Sequence, residues 1–379
     1  MATSTTQTYG TIATDEKVNF YVFGTPNSDR QAWFCEGLLA EMKRHGHTHE
    51  SEVTSDIRLV INVTDINNPK IFRRKAQGTF GAAVIETDHE PADVIRAAYP
   101  MLLKTLSNVA MYLVPKGELT DTHFLTMEQG HYVVPQSPGQ SDEEYFTEIY
   151  NRLAPLATSQ LVINNRYIAD LPEELWKGDD LTEQLRLAGQ TLDKMNLLPA
   201  PFPIHEFLTE RDLKHVMRLF GMGGLSYGNL SVRRDAETFW MSASGVNKAQ
   251  LNDVGRDILL VTDHDAEANA MVLSVPPNIE PRRVSVDAIE HFIIYREHPD
   301  VGAIIHVHAW MDDIGSTHIN YPCGTRELAL AVSDLVSQAP DPSRAVVGLK
   351  NHGMTITGHS LPEIFERLDG KIIPQVPMS

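Results

Sequence analysis

The stretch Gly302-Ala303-Ile304-Ile305-His306-Val307-His308-Ala309 places two histidines, spaced i and i+2, within an apolar run. On a β-strand, residues i and i+2 point to the same face of the sheet. His306 and His308 are therefore expected to present two imidazoles side by side from one rigid element. Imidazole is a common ligand of zinc and similar metals, so the strand supplies half of a candidate catalytic metal site.

The bulk properties of the chain indicate an ordinary globular protein with two domains. Its 379 residues are about twice the length of a typical domain. The apolar fraction is 42% and the charged fraction 22%, and either half is long enough to bury a core. The net charge of −18 argues against nucleic-acid and anionic-membrane partners, since both require a basic surface.

The cysteine content and the chain start indicate a cytoplasmic location. Cys35 and Cys323 are far apart in sequence, which argues against a disulfide framework and favours a reducing compartment. Residues 1–16 are rich in Thr and Ser and lack an apolar core, so they are predicted to be a disordered tail and not a signal peptide. No segment has the length and apolar content of a membrane span.

The N-terminal half alternates short β-rich runs with helical patterns. This alternation predicts βαβ units around a mainly parallel sheet, which is a Rossmann-like α/β domain. The polar stretch Lys70–Gln77 is predicted to be helical, and Gln160–Ile163 is predicted to be a short strand. No function is assigned to this half from its sequence.

A proline-rich segment separates the two halves. Three prolines, Pro199, Pro201 and Pro203, favour an extended spacer. The predicted organisation is therefore an α/β domain over residues 17–198, a linker over 199–204 and a second domain over 205–379. In the second domain, Ser285–His298 is predicted to be a helix with Ser285 as its N-cap.

The second domain resembles the class II aldolase/adducin family, through motifs that occur in the family's order. The motifs are Gly228-Asn229-Leu230-Ser231-Val232-Arg233, Ser244-Gly245, Ser285-Val286-Asp287, His306-Val307-His308-Ala309, Cys323-Gly324-Thr325-Arg326-Glu327-Leu328 and Asn351-His352-Gly353. The resemblance covers a little under half of the chain. It implies an α/β/α sandwich around a largely antiparallel sheet, so the chain as a whole is of the α/β class.

The resemblance also implies a metal site. His306, His308 and His352 match the family's ligands of a divalent metal, Zn²⁺ or another transition metal. Three protein ligands leave a position for substrate, as a catalytic zinc requires. Asp287 matches the family's carboxylate, which is a glutamate in the aldolases, and is expected to be a catalytic base or a fourth ligand.

Further positions follow from the same resemblance. The residues expected to bind the anionic end of a substrate are Gly228, Asn229, Ser244, Gly245 and Ser285. Val286 replaces a second serine of the family pattern, so a substrate without phosphate also fits. The connection from His308 to Gly324 is shorter than the family's. The candidates within it for the role of the family's catalytic tyrosine are Tyr321, Asp312, Asp313 and His318.

Other polar residues have simpler interpretations. His45, His47 and His49 form a rival metal cluster, but an exposed loop after a helix is the favoured interpretation. Glu290, Arg296 and Glu297 are expected on a solvated helix face. His291 is expected to pack in the helix or to contact the site indirectly, and Cys323 to be a small residue in a turn.

The function implied is a metal-dependent lyase. The resemblance implies aldolase-type cleavage or condensation through a metal-bound enediolate, on a small sugar-like hydroxy-carbonyl substrate that is phosphorylated or not. An epimerase or a decarboxylase using the same chemistry, and a non-catalytic adducin-like interaction module, are alternatives. The resemblance further implies a homo-oligomer.

Overall fold

The computed structural model of the protein describes residues 16–75, 78–126, 130–197, 206, 209–211, 214 and 228–378. Within these residues the chain forms two sheets, each covered by helices. The sequence-predicted linker at 199–204 lies outside the described residues, and so does the predicted tail except for Glu16. None of the described helices has the length and apolar character needed to cross a membrane.

The first sheet has seven strands in the order β2-β1-β3-β4-β5-β6-β7. Its strands are β1 Asn19–Phe23, β2 Thr48–Glu50, β3 Ile57–Thr64, β4 Phe80–Glu86, β5 Val109–Lys116, β6 Leu119–Thr126 and β7 His131–Pro135. The strands from β2 to β5 pair in parallel, and β5, β6 and β7 pair antiparallel. This domain is therefore a Rossmann-like α/β layer with an antiparallel extension.

Three helices cover the first sheet, namely α1 Asp29–Arg44, α2 Val94–Thr105 and α3 Asp142–Thr158. Helices α1 and α3 pack together on one face, and α2 packs on β5 and β6 over the other face. At the start of each helix, the side chain of the N-cap residue accepts a hydrogen bond from a backbone N–H group. The N-cap residues are Ser28, Asp93 and Ser141. The helix predicted at Lys70–Gln77 is wrong over its described part, because residues 70–75 are irregular.

The second sheet has eight strands in the order β14-β15-β13-β9-β10-β11-β12-β8. Its strands are β8 Asn164–Ile168, β9 Gly228–Arg233, β10 Phe239–Ser242, β11 Ile258–Asp265, β12 Ala270–Ser274, β13 Ala303–Val307, β14 Val346–Leu349 and β15 Gly353–Gly358. All neighbours pair antiparallel except β12 and β8, which are parallel.

Four further helices of the described ranges enclose this sheet in two layers, so the domain is an α/β/α sandwich. They are α4 Asp180–Lys194, α5 Ala288–Glu297, α6 Arg326–Gln338 and α7 Leu361–Leu368. Helices α4 and α7 pack together on one face, and α5 and α6 pack together on the other. The N-cap of α5 is Asp287 and not Ser285, because the helix starts three residues later than the sequence predicted.

The two cores divide before the proline-rich segment. Strand β8 pairs with β12, and α4 buries Leu185 and Leu192 in the core of the second sheet. The sequence predicts a first domain over residues 17–198, but residues 162–197 contribute to the second core. The physical reason is that β8 completes the edge of an antiparallel sheet, which the prolines later in the chain do not reveal. The short strand predicted at Gln160–Ile163 is wrong in position, because the structure has a strand at 164–168. Leu161 forms only an isolated bridge to Thr325.

Candidate metal centre

Strand β13 lies in the middle of the second sheet and carries the first histidine. His306 is 1% exposed, and the ladder places Asn229 of β9 opposite it on one side and Thr355 of β15 on the other. His308 follows directly after the strand and is partly buried. The apolar alternation around them is what fixes this strand in the core, so the two imidazoles rest on a rigid element.

Gly228 allows the close approach of β9 to β13. Its φ is +128°, and a Cβ atom at this position would lie 1.9 Å from the carbonyl oxygen of His306. A side chain here would therefore push apart the two strands that carry Asn229 and His306. The requirement for glycine at 228 is a packing requirement of the site.

The third histidine is in the hairpin between β14 and β15. Its three-residue loop, Lys350 to His352, turns through Asn351, which has a left-handed φ of +58°. Gly353 then starts β15, and a Cβ there would meet the carbonyl oxygen of Val307 at 2.2 Å. The hairpin is thereby pressed against β13, and His352, 2% exposed, reaches the other two imidazoles.

The three histidines form one compact group. Each of His306, His308 and His352 offers a ring nitrogen, and these atoms lie within 4.8 Å of one another. The ring centroids are 5.0 to 5.3 Å apart. Nε2 of His306 is buried and has no partner among the described residues. A buried polar atom without a partner is costly, so this nitrogen has the character of a metal-facing ligand atom.

The electrostatics of the group favour neutral imidazoles. Burial, and then the neighbouring histidines, lower the pKa of His306 and of His352 well below the usual value. Metal ligation requires the neutral ring, because a protonated nitrogen has no lone pair to donate. Three neutral imidazoles fit Zn²⁺ and related divalent transition metals.

Asp287 lies beside this group at the start of α5 and is 5% exposed. Its carboxylate accepts a hydrogen bond of 2.6 Å from the side-chain amide of Asn229. Burial raises the pKa of Asp287 to about 6, against the opposing effects of the Asn229 amide, the Cys323 thiol, the Gly324 backbone N–H and the Lys248 charge. The carboxyl group therefore titrates near neutrality.

Three further residues near the group are buried or half-buried. Lys248 is 1% exposed, and burial lowers its pKa to about 8 in spite of the Asp287 and Asp257 charges. Sγ of Cys323 is 3.1 Å from Nε2 of His352, so it is part of the site and not merely a small turn residue. Glu290 is 2% exposed, so its assignment to a solvated helix face is wrong. Its spacing of three from Asp287 was the available signal.

The remaining polar residues of α5 follow the predicted pattern. Arg296 and Glu297 are exposed, as expected. His291 is fully buried, with Nδ1 2.7 Å from the hydroxyl of Ser231, and burial lowers its pKa to about 3. His291 is thus a packed, neutral histidine behind the site.

The predicted anion-binding residues lie on adjoining segments. The backbone N–H of Ser244 donates to the carbonyl of Arg283, and that of Ser285 donates to the carbonyl of Ser242. Gly245 follows with φ of +64°. Two segments that are distant in sequence therefore meet near the start of α5, two residues before Asp287.

Tyr321 is half-buried, and burial together with the charge of Glu327 raises its pKa. The structure thus places Tyr321 within range of the Glu327 charge, on the segment just before Cys323. Its assignment as a catalytic residue stays a prediction.

The rival histidine cluster is not an exposed loop at all of its positions. His47 is 5% exposed, accepts the backbone N–H of Val18 and is 2.8 Å from the hydroxyl of Tyr150. His45 stacks on the same tyrosine, and His49, in β2, stacks on Phe20. The three imidazoles serve packing within the first domain. Among the described residues, the group of three or more metal-ligating side chains is the one at His306, His308 and His352.

Comparison with known proteins finds a family match over part of the second domain. Residues 212–311 match the family described as Class II Aldolase and Adducin N-terminal domain. This part of the chain is therefore similar to a class II aldolase/adducin domain. The matched range contains Asp287, His306 and His308, and His352 lies beyond it.

Curated proteins similar to part of this chain include two with the name methylthioribulose-1-phosphate dehydratase, from two strains of Leptospira biflexa serovar Patoc. Each is 27% identical over 111 residues, which is 29% of this chain and 49% of the relative. The chain thus spans about half the length of the curated relatives that it matches.

Solved structures similar to this chain include an L-fuculose 1-phosphate aldolase, with a TM-score of 0.34, 20% identity and coverage of 50% of this chain and 80% of that chain. A second is the L-fuculose-1-phosphate aldolase of Thermus thermophilus, with a TM-score of 0.32, 19% identity and coverage of 49% and 86%. A third is a putative aldolase/epimerase/decarboxylase from Escherichia coli, with a TM-score of 0.33, 17% identity and coverage of 50% and 83%.

Proposed function

We propose that the protein is a metal-dependent lyase that acts on a small, sugar-like hydroxy-carbonyl compound. The observation that carries the proposal is the group of three imidazoles, in which Nε2 of His306 is buried without a partner among the described residues. Three neutral nitrogens leave coordination positions for a substrate, as a catalytic site needs and a structural four-ligand site does not. A divalent ion held there would act as a Lewis acid on a substrate carbonyl.

The chain's own residues then have separate tasks. His306, His308 and His352 hold the ion. Asp287 moves the proton, because a carboxyl group with a pKa of about 6 both accepts and releases a proton near neutral pH. Its hydrogen bond to Asn229 fixes the orientation of the carboxylate. These contacts favour the role of a base for Asp287 over that of a fourth ligand.

The substrate's anionic end is assigned to the segments at the start of α5. Gly228, Asn229, Ser244, Gly245 and Ser285 are the proposed binding residues, and Tyr321 is the proposed additional catalytic residue. Lys248 supports this assignment with a buried positive charge close to Asp287. Zn²⁺ as the ion, a sugar or sugar phosphate as the substrate and a homo-oligomeric state complete the proposal and rest on the family resemblance. The proposed cytoplasmic location rests on the cysteine content.

Dehydration is a second candidate, favoured by the match to the two dehydratases. Loss of water from a hydroxy-carbonyl compound also begins with removal of a proton next to the carbonyl, so Asp287 would have the same task. The two candidates differ in the bond that breaks next, which is C–C in an aldolase and C–O in a dehydratase.

Metal analysis of the purified protein tests the proposal. We expect about one divalent ion per chain, lost in His306→Ala and kept in His298→Ala, a control in the same domain whose ring lies beside Ser337. If the wild type holds no stoichiometric divalent metal and its metal content is the same in His306→Ala, the enzyme assignment is overturned. That result would favour an adducin-like interaction module. A screen of phosphorylated and unphosphorylated ketoses and 2-keto acids, with products analysed for a released aldehyde or for lost water, then separates the two reactions.

A further inference from the structure

His306 has a polar contact on the side of its ring that faces away from the proposed ion. Its Nδ1 is 3.5 Å from Oγ1 of Thr355, the residue opposite it on β15, and the carbonyl of Met354 also accepts a hydrogen bond from this ring. Both neighbours are acceptors available to an Nδ1–H group. Together they favour the tautomer in which Nε2 keeps its lone pair for a metal.

The hydroxyl of Thr355 can accept because its own proton is directed elsewhere. Oγ1 of Thr355 donates to Oε1 of Glu290 at 2.5 Å. A hydroxyl has one proton and two lone pairs, so this bond leaves the lone pairs for the imidazole. A series of side-chain hydrogen bonds therefore connects His306 through Thr355 to Glu290.

The burial and the location of these hydrogen-bonded side chains indicate that they have a role at the metal site. Thr355 is fully buried and Glu290 is 2% exposed, and a buried carboxyl group carries a large desolvation cost. Glu290 is one turn after Asp287 on α5, and Thr355 is three residues after His352. The bond between them thus ties the helix that begins at Asp287 to the strand that follows His352.

We propose that Glu290 is a positioning residue, which fixes the tautomer and orientation of His306 through the Thr355 hydroxyl. The inference rests on the proposed metal site and adds to it a residue that touches neither metal nor substrate. Outer contacts of this kind change metal affinity by about 10- to 100-fold when they are removed. Because the Met354 carbonyl supports the same tautomer, we expect the lower end of this range.

Zinc affinity measured by competition with a chromogenic chelator tests the proposal, and thermal unfolding of the metal-free variants reports their folding. Thr355→Val should weaken zinc binding by about tenfold. Thr355→Ser, which keeps the hydroxyl, should restore it. Thr357→Val is the matched control, because Thr357 is also buried on β15 and makes hydrogen bonds to Ala345 and Pro342.

Glu290 is tested in the same assay. Glu290→Gln keeps an acceptor for Thr355 and should bind zinc nearly as the wild type does, whereas Glu290→Leu should lose as much affinity as Thr355→Val. If the two residues act as one chain, the double variant Glu290→Leu, Thr355→Val should be no weaker than either single variant. Additive losses of zinc affinity in the double variant would show that Glu290 and Thr355 do not act on His306 through one series of hydrogen bonds.

The outcomes separate the two proposals. A wild-type protein that binds no zinc overturns the proposed function itself. A wild type that binds zinc, with Thr355→Val and Glu290→Leu binding it equally well, overturns the positioning role alone. If Thr355→Val fails to fold, the comparison of Glu290→Gln with Glu290→Leu still decides the inference.

Discussion

The side-chain amide of Asn229 donates to the carboxylate of Asp287 at 2.6 Å, while the backbone of Asn229 lies opposite His306 in the sheet. One residue thus connects the strand of the proposed ligands to the carboxyl group proposed as the base. Since Nδ2 bonds the charged form of the acid, it opposes the effect of burial on the pKa of Asp287.

Asn229→Ala should therefore raise the pKa of Asp287 further and destabilise the fold by about 1–3 kcal/mol at pH 7.5. When the pKa of a carboxyl group is higher in the folded than in the unfolded protein, the fold loses stability as the pH rises from the unfolded-state pKa to the folded-state pKa. The destabilisation should thus be smaller at pH 5, where Asp287 is mostly protonated. Urea unfolding at both pH values measures it. Asn62→Ala, a buried asparagine that donates to the carbonyl of Lys70, should show no such pH dependence.

Gly228→Ala should be more damaging than loss of a left-handed glycine alone. Its Cβ would collide with the carbonyl of His306, within a ladder that cannot move without separating β9 from β13. Gly139 has φ of +80° and open space around its Cβ position, so Gly139→Ala isolates the backbone cost, about 1–2 kcal/mol. We expect Gly228→Ala to cost about 1–3 kcal/mol more in urea unfolding. Equal costs would show that the close approach is unimportant.

Cys323 should react with iodoacetamide more slowly when zinc is bound. Its Sγ lies against the ring of His352, which the ion would immobilise. Cys35 is an internal reference, since it is 6% exposed and burial raises its pKa to about 12. Mass spectrometry of the labelled peptides gives both rates. Zinc should give no protection in His352→Ala, and protection that persists there would place the effect elsewhere.

The first domain should lose stability in acid. His123 and His131 lie with Nδ1 and Nε2 2.9 Å apart, and burial lowers the pKa of each to about 4. The unfolded chain therefore binds more protons between about pH 4 and pH 6.5, so stability is lost as pH falls through this window. Calorimetry at pH 7.5 and pH 5 measures the loss. It should be smaller in His131→Asn and unchanged in His89→Asn, an exposed histidine of the same domain.

A fragment of residues 160–379 should fold cooperatively, whereas a fragment of residues 205–379 should not. The shorter fragment lacks β8 and the apolar face of α4, including Leu185 and Leu192, which are buried in the second core. Circular dichroism and thermal unfolding compare the two fragments. Equal cooperativity and equal midpoints would show that the second core does not need residues 160–197.

The sequence was sufficient for the parts of the site that depend on local patterns. The i, i+2 spacing of His306 and His308 is a strand signal of its own, whereas His352 was predicted through the resemblance to the family. The structure brings these three residues together. The alternation of strands and helices in the first domain was predicted because each pattern lies within a single segment. Local sequence patterns are sufficient to predict these elements without knowledge of tertiary contacts.

The remaining features depend on contacts between distant segments. Strand β8 is polar and mostly exposed, so it has no alternation that would reveal a partner about one hundred residues later. Glu290 belongs to a charged helix pattern that is usually solvated, and only β15 shows why it is buried. Lys248 and Cys323 reach Asp287 and His352 through turns whose geometry the sequence does not specify.

The position of β8 has a consequence for synthesis of the protein on the ribosome. Asn164 of β8 pairs with Ala270 of β12, so β8 emerges well before its partner exists. At about 5–20 residues per second, this interval lasts on the order of 5–20 seconds. During that time the backbone of β8 and its side chains Tyr167 and Ile168, which stay more than a third exposed even in the folded chain, have no sheet to join.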